Sequence, residues 1–138
     1  MTRSVPVVAI FNSSDDIAEA LRDFLERAGF AVVSAHVDDV RRGRSDVKAL
    51  MEQHDPLVVL YDLIAPFQRH WQFVQHLRGT PDFERRAFVY TSANAAAARE
   101  LGGHSEPVIE LHGLESDFSA IVDAVKRAVT TTWSNGNG

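Results

Sequence analysis

No cysteine occurs in this 138-residue chain. A disulfide framework, a thiolate zinc site and a cysteine nucleophile are therefore excluded, and nothing points to an oxidising compartment. Long apolar runs are missing too. The stretch from Val5 to Phe11 supplies only about seven apolar positions, far short of the roughly 20 residues that a spanning helix needs. The expectation is a cytoplasmic chain without a membrane segment. Positive charge is scarce, with 14 Lys plus Arg against 19 Asp plus Glu and a formal net charge of −5. Without a long basic run, a dedicated nucleic-acid surface is not expected, because that interaction rests on phosphate neutralisation. Six His are present, but no HxxxH or HxH occurs, and His70 and His76 fall on different faces of a helix, so no metal motif arises. There is no glycine-rich phosphate loop, and no Ser-His-Asp order stands out.

What is present is an alternation of strand-length apolar runs with stretches of helical period. Val5 to Phe11, Phe30 to Ala35, Leu57 to Tyr61, Ala87 to Thr91 and Pro107 to Leu111 read as five strands. Their continuous apolar character fits parallel strands covered on both faces. Between them, Ile17, Leu21, Phe24, Leu25 and Ala28 form a helical stripe from Ser14 to Ala28, which Gly29 ends. Further helices are expected over Ser45 to His54, around Trp71 to Leu77, over Ala95 to Leu101 up to Gly102-Gly103, and over Ser116 to Thr130. Val37 to Arg44 reads as a loop or frayed turn. The length fits one domain over residues 1–130, with 131–138 as a flexible tail or the start of a linker. Such an order implies right-handed crossovers and an α/β sheet with helices on both faces. Ligands then sit beyond the carboxyl ends of the strands, which directs attention to Asn12 to Asp16, Asp62 to Pro66, Thr91 to Asn94 and Leu111 to Gly113.

The segments FNSSDDIAEALRDFLERAGFAVVSA and DPLVVLYDLIAPFQRHWQFVQHLR, taken in order and spacing, resemble a response-regulator receiver domain of two-component signalling. The resemblance covers nearly everything from Val5 to Val129. It implies a flavodoxin-like doubly wound five-stranded parallel sheet of order 2-1-3-4-5 with five helices. It also implies a signal-transduction module and not an enzyme, beyond phosphorylation and dephosphorylation of its own aspartate. Receivers accept a phosphoryl group from a histidine kinase with Mg²⁺ neutralising the phosphate. That chemistry requires a nucleophilic carboxylate, further carboxylates for a hard cation, a hydroxyl and a Lys.

On this resemblance Asp62 matches the phosphoacceptor and metal ligand, with Pro66 four residues on, and Ile64 stands where a backbone carbonyl reaches the metal. Ser92 matches the phosphate-contacting hydroxyl position, with Thr91 as its neighbour facing elsewhere. The pattern departs at three places. The acidic pair at the end of the first strand is replaced by Asn12 and Ser13, which offer oxygen without charge, so Mg²⁺ binding is expected to be weak. Asp15 and Asp16 are the candidate substitute acids, against the simpler reading that they complement the dipole of the first helix. The Lys position holds Leu111 or, with a one-residue shift, His112, whose imidazole would offer a pH-dependent charge. The aromatic switch position falls on Val108 or Ile109. Phe67 and Trp71 begin the third helix beside Asp62, as packed rings or as a recognition patch.

The expectation is an atypical receiver that lacks the acidic pair and the Lys and regulates through protein contacts, with Mg²⁺-dependent phosphorylation weak or absent. The alternative is a working phosphoacceptor, phosphorylated on Asp62 by a histidine kinase. Partners on either reading are a histidine kinase or another signalling protein, or a second copy through the fourth and fifth helices, with neither nucleic acid nor membrane. A small-ligand binder of the same fold is a third reading.

Overall fold

A computed structural model describes residues 5–43, 46–101 and 108–137. In chain order the elements are β1 (Val7–Asn12), α1 (Asp15–Arg27), β2 (Ala31–His36), α2 (Val37–Arg41), α3 (Val47–His54), β3 (Val58–Asp62), α4 (Phe67–Arg78), β4 (Ala87–Ser92), α5 (Ala95–Leu101), β5 (Val108–Glu110) and α6 (Glu115–Asn137). All strand pairs are parallel and the sheet order is β2-β1-β3-β4-β5. This is the flavodoxin-like order expected from the sequence, with six helices in place of five. The additional helix is α2, in the stretch expected to be a loop. His36 caps it, its Nδ1 accepting from the Asp38 N–H at 3.1 Å, and Val37 and Val40 are buried beneath it. The fourth and fifth helices of the sequence reading are thus α5 and α6. The helix stop at Gly102-Gly103, Ser45 and Pro107 lie outside the described residues.

The pleat divides the core in two. Val8 and Ile10 of β1, Val58 and Leu60 of β3 and Val89 of β4 pack against Leu21 and Leu25 of α1 and against Phe118, Ile121, Val122 and Val125 of α6. The alternate residues Ala9, Phe11, Val59, Tyr61 and Tyr90 face Val37 and Val40, Met51, Val74, and Ala95 and Ala98 of α2 to α5. With both faces covered, each strand reads as an unbroken apolar run.

Helix α1 begins where Ser14 Oγ accepts from the Ile17 N–H at 3.3 Å, with Asp15 and Asp16 in the positive first turn. It ends at Gly29, whose φ of 100° is open to glycine and costly for other residues. Helix α6 runs past Thr130, where the apolar stripe suggested its end, and reaches Asn137. Thr131 to Asn137 contain no proline, and extending a formed helix adds one hydrogen bond for each residue fixed, so the polar stretch continues the helix. Among the described residues no helix is long and apolar enough to cross a membrane.

Ile121 is fully buried on the face that holds α6 to the sheet. Ile121→Ala is expected to lower unfolding free energy by about 2–5 kcal/mol, read as a lower urea midpoint.

Candidate functional site

The four segments singled out at the strand ends meet in one cavity of about 380 Å³. Its polar lining comes from Asn12, Ser13, Ser14, Asp62, Ser92 and Asn94. Apolar walls come from Ile17 of α1, Leu63, Ile64 and Ala65 after β3, Phe67 of α4, Ala93, and Leu111 after β5. Gly113 closes the loop beside Leu111 with φ 89°, and a Cβ there would stand 3.3 Å from Ile17 Cδ1. Glycine thus lets the loop after β5 approach the start of α1.

Asp62 ends β3 and is 8% exposed. Thr91 Oγ1 donates to its Oδ1 at 2.9 Å, and Ser13 Oγ donates to its Oδ2 at 3.2 Å. Burial pushes the Asp62 carboxyl above the ordinary carboxylate value, and the two hydroxyl donors partly oppose that rise. Asn12 is buried, and its Oδ1 accepts from the Ser14 N–H at 2.8 Å, so the side chain turns the chain into α1.

Ser92 lines the cavity as expected, but Thr91 is placed differently from the expectation. Thr91 does not face elsewhere: the register pairs Asp62 with Thr91, and residues paired in adjacent parallel strands point to the same side of the pleat. Ser92, one residue on, points to the opposite side, donates to the Leu63 carbonyl at 2.8 Å and accepts from the Asn94 N–H at 3.1 Å. Ser92 lines the cavity, and its hydroxyl ties the β4 end to the loop after β3.

Asp15 and Asp16 do not substitute for the missing acidic pair. Both stay exposed in the first turn of α1 and neither lines the cavity, because Ser14 caps the helix and directs that turn outward. At the Lys position it is Leu111, 6% exposed, that lines the cavity. His112 lies outside it, half exposed, with Nε2 3.5 Å from Glu110 Oε2 and its N–H on Asp117 Oδ2 at 2.8 Å. Val108 is buried against α5 and Ile109 packs on the α6 side. Trp71 packs edge-on against Tyr90 with ring centres 5.2 Å apart, and Phe67 packs on the same core while lining the cavity. The two rings are thus part of the fold.

A divalent cation would find one carboxylate here. Asn12 and Ser13 are neutral, the Asn12 oxygen is already engaged, and among the described residues no cluster of three or more His, Asp or Glu is placed to hold a metal. This donor set does not fit a hard dication, which is held largely by several carboxylate oxygens.

Sequence reasoning missed a polar group on the opposite side of β3. Tyr61 and His70 are buried, and Tyr61 Oη, His70 Nδ1 and the half-buried Arg41 Nε lack hydrogen-bond partners. Burial, with the Arg41 charge nearby, holds the His70 imidazole below its ordinary value, and burial raises the Tyr61 phenol. The only sequence signal was a His inside the helical stripe containing Val74, where a core position is expected.

Known structures share this architecture. A sensor protein from Polaromonas sp. JS666 matches with a TM-score of 0.69 and 21% identity, over 92% of this chain and 98% of that one. A response regulator from Thermotoga maritima matches with a TM-score of 0.68 and 15% identity, over 92% and 99%. The Mn²⁺-bound form of response regulator Rcp1 matches with a TM-score of 0.57 and 15% identity, over 88% and 91%. The fold is therefore that of response-regulator receiver domains. No protein-family model and no curated protein matches the sequence.

Two pH dependences follow. The folded chain keeps a proton on Asp62 where the unfolded chain has lost it, so stability falls as pH rises from the ordinary carboxylate value through the raised one. Asp62→Asn removes this cost. Its urea midpoint relative to wild type is expected to rise between about pH 3 and about pH 8, with the smallest difference at the acid end. His70 has the opposite sign: the unfolded imidazole takes a proton near its ordinary 6.5 while the folded one resists it. Stability present above that value is lost as pH falls below it, and His70→Leu is expected to flatten this loss in the same titration.

Proposed function

We propose that this chain is an atypical receiver module of signal transduction that works through protein contacts, with Mg²⁺-dependent phosphorylation absent or weak. The observation that carries this reading is the cavity lining: Asp62 is its one ionisable group among the described residues, and Asn12, Ser13 and Leu111 stand where the resemblance requires two acids and a Lys. A phosphoryl group on Asp62 would bring more negative charge into a cavity with no cation to receive it. The strand-end placement of Asp62 and the fold itself support a signalling module and give no support to an enzyme. Partners on this reading are other signalling proteins, a histidine kinase among them. Leu114, 61% exposed at the start of α6, supports a contact surface around α5, β5 and α6, including one between two copies. A cytoplasmic setting suits such a partner.

The test is phosphodonor labelling. Wild type and Asp62→Asn are incubated with acetyl phosphate or beryllofluoride at millimolar Mg²⁺ and read by intact mass and by fluorine NMR. No Asp62-dependent signal is expected, whereas labelling of wild type alone would establish the working phosphoacceptor. Asn12→Asp with Ser13→Asp and Leu111→Lys is expected to raise Mg²⁺ affinity by about tenfold or more, equivalent to ~1.4 kcal/mol of added attraction.

A further inference from the structure

The charge balance of the cavity points to a ligand of the opposite kind. Asp62 is the one formal charge among its described lining residues, and its ionised carboxylate is satisfied only by two neutral hydroxyls, from Thr91 and Ser13. A carboxylate offers about four acceptor positions, so each oxygen keeps room for one more donor. Among the described residues no Lys, Arg or His pairs with it. A buried anion without a counter-charge is costly, and a cation that reaches it regains that cost. Ile17, Phe67 and Leu111 supply apolar wall on the way to the carboxylate.

We propose that this cavity binds a primary alkylammonium group, the charged nitrogen seated on Asp62 and the alkyl stem lying against Ile17, Phe67 and Leu111. The chemistry matches in both parts. An ammonium is a compact point donor on a flexible apolar stem, which suits a carboxylate whose two oxygens each already hold a hydroxyl. A hydrated dication would find a single carboxylate, and an anion would meet the Asp62 charge. The cavity volume of about 380 Å³ accommodates a short alkyl chain. The ammonium belongs either to a lysine side chain of a partner protein or to a free small amine. This inference rests on the reading of the site as one that does not take up Mg²⁺ and phosphate.

The experiment is a heteronuclear NMR titration of the full chain at neutral pH with n-butylammonium, with n-butanol of equal stem length as the uncharged control. The expected result is saturable shifts of the Ile17, Asp62 and Leu111 amides with butylammonium, absent with butanol. Asp62→Asn, which keeps the shape, is expected to weaken binding roughly tenfold or more, as when one member of a partly desolvated ion pair is removed. Leu111→Lys, which carries its own ammonium into the cavity, is expected to block the ligand. Equal shifts from butanol, or equal affinity in Asp62→Asn, would overturn the proposal. Nα-acetyl-lysine N-methylamide separates the two sources: binding at least as tight as butylammonium identifies a protein lysine, and exclusion identifies a free amine. Beryllofluoride with Mg²⁺ is titrated in parallel. Its uptake by wild type sinks the reading of the site itself, whereas failure of both probes sinks only the alkylammonium proposal.

Discussion

The site depends on the pleat of a parallel sheet buried on both faces. Side chains of successive residues must go to opposite layers, and with both layers full a one-residue change of register would exchange two complete packing faces. Val58 and Leu60 belong to the layer under α1 and α6, so Asp62 is carried to that side as well. The same parity brings Thr91 beside it in β4 and sends Ser92, Tyr61 and Tyr90 to the other layer. Which hydroxyl meets the carboxylate is therefore decided by core packing several residues upstream.

That constraint gives the carboxylate an unusual environment. It is buried and receives hydrogen bonds, but it has no cation partner among the described residues, and Leu111 adds hydrocarbon to the cavity lining. Two neutral donors offset part of the desolvation cost and leave the rest, which is why the carboxyl holds its proton more tightly than usual. Among the described residues this lining supplies a single formal charge, Asp62, beside the apolar surface of Ile17, Phe67 and Leu111.

Beneath the carboxylate, the opposite layer holds a second polar group. Tyr61 follows the pleat into the core, where it meets Phe11 edge-on at 6.1 Å and lies within the electrostatic reach of Arg41. His70 stays neutral there because burial and the Arg41 charge act in the same direction. Adjacent residues of one strand thus face opposite layers, and the Asp62 charge still reaches Tyr61, adding to the rise that burial gives its phenol.

The sheet, its order and the positions lining the cavity were legible because each rests on local signals: apolar runs of strand length, helical stripes, a cap at Ser14, a stop at Gly29, and an acid directly after LVVLY. The charge deficit was legible too, since the absence of acids at Asn12 and Ser13 and of a cation near Leu111 needs no coordinates. Helix α2, the reach of α6 to Asn137, the outward turn of Asp15 and Asp16, and the hydrogen bond from Thr91 to Asp62 were not. Those outcomes depend on what packs across the chain. Burial of Val37 and Val40 makes a helix of a charged stretch, and strand register brings Thr91 to Asp62. The residue types that can carry chemistry at this site are written in the sequence. Which of them face the cavity was decided only when two helical layers closed on the sheet, because side-chain direction in a strand follows from its pairing and its covered faces.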